Sequence, residues 1–243
     1  MKRIIKANAP AFWVSYKRRH PTHKYANLDE TVEGQTVRNQ LRQNLQREQR
    51  NICCYCCCVL SPGDMHNEHI KPQKRYNQLT MDYENIVVSC SSTFTCGMKK
   101  DHDYDECKFV SPLDENCADH FIFYPDGSID YKTSQGEYAI KLLGLNNSRS
   151  LRERRKSQYD TVYALCRSYV LNACDCISLE NEDEFTAAEE LYQEFFAKEV
   201  APDFFIGTST QLPAFIDMLE FFREQGNFDF DYIVDDLKCS GEL

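Results

Sequence analysis

Five cysteines fall within six residues, Cys53-Cys54-Tyr55-Cys56-Cys57-Cys58, in a chain of 243 residues that carries thirteen in all. Thiols this dense are joined as disulfides in an oxidising compartment or gathered round a metal in a reducing one. The total is odd, and the start MKRIIKANAPAFWV breaks its apolar stretch at Lys6, Asn8 and Pro10, a poor match to an export signal. No apolar run approaches the roughly 20 residues that span a bilayer. The expectation is a cytoplasmic protein that binds metal and no membrane.

Cys53-x-x-Cys56 has the spacing of a zinc knuckle, and Cys54-x-x-Cys57 offers the same spacing one residue on. A second pair, Cys90 and Cys96, follows with five residues between its members. Zinc takes four thiolate or imidazole ligands in a tetrahedron, and two pairs from separate turns can close such a site. The segment between them is short of long apolar runs, so a bound metal would supply much of its folding free energy. Cys107, Cys117, Cys166, Cys174, Cys176 and Cys239 read as ordinary thiols.

Between the two pairs lies His66-Asn67-Glu68-His69-Ile70-Lys71-Pro72. A carboxylate beside an imidazole suits phosphodiester hydrolysis. The imidazole, with a pKa near neutrality, activates water. A cation held by the carboxylate, Mg²⁺ or Mn²⁺, neutralises charge at the phosphate. Neighbours on an ideal strand face opposite ways, so Glu68 and His69 converge only where the strand ends, as Pro72 allows. His66 reads here as a local polar residue rather than a ligand. Further on, Asn85 precedes the strand-like Ile86-Val87-Val88-Ser89-Cys90, and Cys96-Gly97-Met98-Lys99-Lys100 opens as a helix would.

Around this core the periodicities predict an α+β chain. Val37, Leu41 and Leu45 predict a helix near 33–50. Phe121-Ile122-Phe123-Tyr124 and Ser128-Ile129-Asp130-Tyr131 flank an Asp126-Gly127 turn and predict a hairpin. Helices are expected near 137–143, 148–173, 180–200 and 213–225. Charge divides unevenly: residues 1–50 carry 11 basic and 4 acidic side chains, whereas 159–243 carry 4 basic and 19 acidic, within a net charge of −10. The basic front offers Lys17, Arg18, Arg19, Arg38, Arg42, Arg47 and Arg50 to phosphates. Lys71, Lys74 and Arg75 are further candidates beside the Glu68-His69 pair. The acidic back disfavours nucleic acid; its Phe185, Ala188, Leu191 or Tyr192, Phe195 and Phe196, with Phe215, Leu219 and Phe222, predict a helical core.

The ordered set resembles the HNH (ββα-metal) endonucleases, and within them the PtuB-type nucleases of Septu and certain retron antiphage systems. The matching segments are Cys53-Cys54-Tyr55-Cys56, Glu68-His69-Ile70-Lys71-Pro72, Asn85-Ile86-Val87-Val88-Ser89-Cys90 and Cys96-Gly97-x-Lys99, within residues 1–160. The resemblance implies a structural Zn²⁺ on Cys53, Cys56, Cys90 and Cys96, His69 as general base, Glu68 as ligand of the catalytic Mg²⁺ or Mn²⁺, and Asn85 positioning His69. The family often carries an Asn or His metal ligand where this chain has Gly97. Asp101 or His102, one turn on, is expected to substitute, with Lys99 touching phosphate.

Four segments are therefore expected: a basic helical segment 1–50, a zinc-bound nuclease core 51–110, a completing hairpin and basic helix 111–160, and an acidic helical region 161–243. The resemblance also implies partners: a PtuA-type SMC-like ATPase, onto which the acidic tail would dock, a DNA or tRNA substrate, and a retron reverse transcriptase with its msDNA. The competing expectation is a zinc-ribbon subunit that binds nucleic acid without cutting it, or an adaptor that binds neither DNA nor RNA.

Overall fold

The computed structural model describes residues 1–100, 104–174, 181–195 and 215–242. Among them the chain forms two compact units, Met1–Ile122 with Ile129–Arg149, and Phe123–Ser128 with Ser150–Leu243. Helices and two small sheets make it an α+β protein. No helix among the described residues is long and apolar enough to cross a membrane.

In the first unit, α1 (Ala11–Arg19) buries Trp13 and Tyr16. Helix α2 (Val32–Glu48) buries Val37, Leu41 and Leu45, the stripe its four-residue spacing predicts. Thr31 starts α2 by accepting the Gly34 N–H at 3.0 Å. Gly34 is needed there, since a Cβ would lie 2.5 Å from the Leu28 carbonyl oxygen. Strands β1 (Met65–His69) and β2 (Ile86–Cys90) pair antiparallel, with Met65 opposite Cys90 and His69 opposite Ile86. Helix α3 (Cys96–Lys100) follows directly. The order strand, strand, helix places the Glu68-His69 pair on the first strand and the second cysteine pair at the strand-to-helix turn.

The predicted hairpin forms from β3 (Phe121–Phe123) and β4 (Ile129–Tyr131), with Gly127 at φ 82 in its turn. Helix α4 (Ser134–Leu143) follows, capped by Thr133 and ended by Gly144 in the left-handed region. In the second unit, α5 (Arg149–Cys174), α6 (Glu182–Phe195) and α7 (Ile216–Glu224) correspond to the expected helices, and Phe196 falls outside the described residues. Tyr192 is the buried member of the Leu191/Tyr192 choice, with its hydroxyl 2.5 Å from the Phe228 carbonyl oxygen, while Leu191 is exposed. Tyr159 packs on Phe222 and Phe185 on Phe230, an aromatic core for the acidic unit.

Two helices lie outside the expected set. One is α1, whose amphipathic stretch spans only nine residues. The other is α8 (Phe230–Ser240), which buries Phe230, Ile233, Val234 and Leu237 at i, i+3, i+4 and i+7.

One buried amide ties the first unit together. Gln49, just past α2, donates to the Ile52 carbonyl at 3.0 Å and the Val88 carbonyl at 2.8 Å, and accepts the Val88 N–H at 2.6 Å. It thereby joins α2, the cysteine cluster and β2. Gln49→Leu strands those three backbone groups and is expected to lower stability by about 3 kcal/mol, measured by urea unfolding of the zinc-loaded protein.

Candidate active site

Spacing alone leaves the cysteine register open, and the fold selects one. The Cys53 N–H donates to the Cys58 carbonyl and the Cys57 N–H to the Cys53 carbonyl, curling the cluster into a tight turn. Cys90 ends β2 and Cys96 opens α3. The Sγ atoms of Cys53, Cys56, Cys90 and Cys96 lie within 4.8 Å of one another, all four buried. Zinc–sulfur bonds of about 2.3 Å require tetrahedral edges of about 3.8 Å. The Cys56 and Cys90 sulfurs are 4.0 Å apart, so the quartet fits a zinc ion. Burial alone would raise the Cys53 thiol, but its neighbouring thiols hydrogen-bond to it and hold it well below its ordinary value. The backbone N–H of Cys90 also lies 3.4 Å from the Cys53 sulfur. Cys54 is buried outside the quartet, and its pKa is raised well above the thiol range by burial, by its contact with Cys53 and by nearby negative charge.

The residue inside the knuckle links the four-thiol cluster to the Glu68 carboxylate. The Tyr55 hydroxyl lies 3.1 Å from Glu68 Oε1 and donates to it. Burial and the Glu68 charge raise Tyr55 well above the usual phenol range, so it stays a donor. Lys100 joins the same carboxylate oxygen at 2.5 Å and donates to the carbonyls of His69 at 2.5 Å and Ile70 at 2.8 Å. Burial by itself would lift the Glu68 pKa, but the Lys100 ammonium and the hydrogen bonds of the site outweigh it, and the group lies below its ordinary value.

The other carboxylate oxygen, Oε2, faces His66, whose Nε2 is 3.4 Å away. The two side chains share a strand face because they are two residues apart. Gly97 lies against them: a Cβ there would meet Glu68 Oε2 at 2.6 Å and His66 Nε2 at 2.9 Å. These groups open onto a cavity of about 380 Å³ that His69, Lys74 and Met98 also line.

His69 ends β1, and its ring lies edge-on to Tyr25 with centroids 4.7 Å apart. Its Nε2 is 2.9 Å from the Thr80 carbonyl oxygen. A carbonyl only accepts, so Nε2 carries the hydrogen, and Nδ1 is the basic nitrogen of the neutral ring. Asn85 acts on this arrangement from one step away. Its Oδ1 accepts the Lys71 N–H at 2.8 Å, and its Nδ2 donates to the Lys71 and Leu79 carbonyls at 3.1 and 3.2 Å. It thus closes the loop that presents Thr80 to His69.

Other candidates sit elsewhere. The Lys99 Nζ donates to the last carbonyls of α4, 2.5 Å from Lys141 and 3.3 Å from Leu142; the lysine on Glu68 is Lys100. Lys71 pairs with Glu106, Arg75 donates to the Tyr104 carbonyl, and Arg19 pairs with Glu33. Lys17 and Arg18 are exposed on the last turn of α1. Of the basic residues expected to contact phosphate, Lys74 is the one that lines the cavity. Asp101 and His102 lie outside the described residues.

Tyr55, His66 and Lys100 were absent from the expected site. Each carries a signal: Tyr55 lies inside the knuckle, His66 is in strand register with Glu68, and Lys100 is one helical turn after Cys96 on the same face.

No protein-family model matches the chain. A protein of Vibrio cholerae serotype O1 biovar El Tor, named "Retron Vc95 putative HNH endonuclease", is 33% identical to it over 145 residues, covering 54% of this chain and 69% of the relative. The chain belongs to the HNH endonuclease family. The β1-β2-α3 order, the four-thiol cluster and the Glu68-His69 pair are the features of this member on which its chemistry would rest.

Two outcomes test the site. One zinc ion per chain is expected by elemental analysis, lost in Cys90→Ser. Lys100→Met leaves Glu68 buried without its cation and is expected to destabilise the zinc-loaded protein by about 3–5 kcal/mol in urea unfolding; a cost below about 1 kcal/mol would show that the pair does not hold the site.

Proposed function

We propose that this chain is a metal-dependent endonuclease that hydrolyses phosphodiester bonds of nucleic acid. The observation that carries the reading is the common cavity of Glu68 and His69, with the His69 ring oriented through its Nε2 by the Thr80 carbonyl. With Nε2–H committed to that carbonyl, Nδ1 is the atom that takes the proton from the attacking water. Lys74 offers a cation to the scissile phosphate at the same cavity. Glu68 would hold a Mg²⁺ or Mn²⁺ ion, which would supply charge neutralisation at the phosphate and the leaving oxygen. The donor set suits such an ion: a carboxylate oxygen and an imidazole nitrogen border the cavity, and Gly97 leaves the room.

The chain is further read as a PtuB-type effector of an antiphage retron or Septu system. The retron in the Vibrio relative's name and the order of the cysteine, Glu-His and Asn segments support this. Its partners on that reading are a PtuA-type SMC-like ATPase, which the acidic unit would meet, and a retron reverse transcriptase with its msDNA. Substrate is DNA or tRNA, since the chemistry reads a phosphate rather than a base.

The test is cleavage of plasmid DNA and of total tRNA in Mg²⁺ and Mn²⁺, with and without the co-expressed ATPase. Wild type is expected to cut one of them, and His69→Ala to lose at least about a hundredfold in rate while still binding the substrate. If neither substrate is cut with partner and ATP present, the chain is a zinc-stapled binding subunit instead.

A further inference from the structure

We infer that the second protein ligand of the divalent cation at Glu68 is His66, supplied from the same strand rather than from helix α3. The inference rests on the nuclease reading for the place of the cation, and on three separate observations for the ligand. The first is direction. Residues 66 and 68 share one face of β1, and His66 Nε2 stands 3.4 Å from Glu68 Oε2 at the cavity wall. The second is division of labour within Glu68. Lys100 and Tyr55 are both bound at Oε1, so the oxygen turned to His66 and Gly97 is Oε2. The third is exclusion. A side chain at position 97 would drive its Cβ to 2.9 Å from the imidazole and 2.6 Å from the carboxylate, so a ligand at that position would displace His66 and Glu68 from their present places. Glycine at 97 is therefore the complement of the histidine at 66.

The identity of the ligand constrains the metal. Imidazole favours first-row transition ions, whereas Mg²⁺ prefers an all-oxygen shell and keeps its waters. A Glu-His pair therefore selects Mn²⁺ over Mg²⁺, a preference that a carboxylate paired with an Asn or Asp would not impose.

The experiment is titration of the zinc-loaded full chain with MnCl₂, following free Mn²⁺ by electron paramagnetic resonance and competing with MgCl₂. Zinc content is measured in every variant as the check on folding. His66→Ala and Glu68→Gln are each expected to weaken Mn²⁺ binding by about tenfold or more, with one zinc retained. His66→Asn, which supplies an oxygen instead, is expected to narrow the preference for Mn²⁺ over Mg²⁺, and it stands in if the alanine variant loses its zinc. His69→Ala is expected to bind Mn²⁺ as wild type does. Unchanged Mn²⁺ affinity in both His66 variants overturns the inference, and so does a loss confined to Asp101→Ala or His102→Ala. The two readings fail separately. If Mn²⁺ binding depends on His66 but no nucleic acid is ever cut, the metal site stands and the nuclease falls. If cleavage depends on His69 while Mn²⁺ ignores His66, the reverse holds.

Discussion

The four-thiol cluster is the constraint on which the rest of the site depends, because it joins three short pieces of chain at one point: the knuckle, the end of β2 and the start of α3. The knuckle is a turn, β2 is five residues long and the described part of α3 is five. Pieces this short do not hold themselves in register. The backbone around the cluster is also under strain. Four of the five non-glycine residues with positive φ among the described residues are Arg50, Asn51, Cys57 and Cys96, at the approach to the knuckle, within it and at the start of α3. Each such position costs on the order of 1–3 kcal/mol. Apparent zinc-binding free energies of about 10–16 kcal/mol exceed that total in most combinations. A zinc ion bound by the four thiols would make this local conformation affordable.

From that anchor the catalytic geometry follows in steps. Cys96 begins α3, and one turn later the same helix face delivers Lys100 to Glu68. The knuckle places Tyr55 on the same oxygen. Lys100 also takes the carbonyls of His69 and Ile70, so the cation that balances Glu68 fixes the backbone where β1 ends. This resolves how adjacent strand residues serve one cavity. Asn67 turns toward Tyr25 and His69 packs its ring on that same tyrosine, while Glu68 faces the helix. The strand stops at His69, and the cavity reaches both faces at its end.

Much of this was legible in the sequence, and what was not has physical reasons. The helix at α2, the β3–β4 hairpin and the long helix of the second unit announce themselves by period and turn chemistry. The Glu68-His69 pair stands out by its place between two cysteine pairs. The knuckle register did not, because Cys53-x-x-Cys56 and Cys54-x-x-Cys57 have identical spacing; only the convergence of sulfurs from β2 and α3 separates them. Lys99 and Lys100 are chemically alike neighbours, and helical phase decides which faces inward. That phase is set by where Cys96 starts the helix. His66 was passed over for a related reason: its partnership with Glu68 exists only if β1 extends back past it, and the pattern Met-His-Asn-Glu-His shows no apolar alternation to say so. Residues 230–237 do carry a helical stripe, with Phe230, Ile233, Val234 and Leu237 at i, i+3, i+4 and i+7, so α8 too is legible in the sequence.

The charge arrangement at the centre is compatible with the polyanionic substrate proposed above. A buried carboxylate facing a phosphate would repel it. Here one oxygen of Glu68 is already balanced by a fully buried ammonium and a phenol hydroxyl, leaving the other to the cavity. The imidazole of His66 beside it adds a nitrogen without adding negative charge, and Lys74 adds a positive one. The cavity can thus hold a divalent cation and still meet a phosphate. The wider chain repeats the logic. Residues 1–50 are strongly basic, and the 15 units of excess negative charge in residues 159–243 disfavour phosphate contact by that unit. On the nuclease reading, nucleic acid would be drawn to the first unit by attraction there and repulsion elsewhere, and the acidic surface would be left for protein contacts.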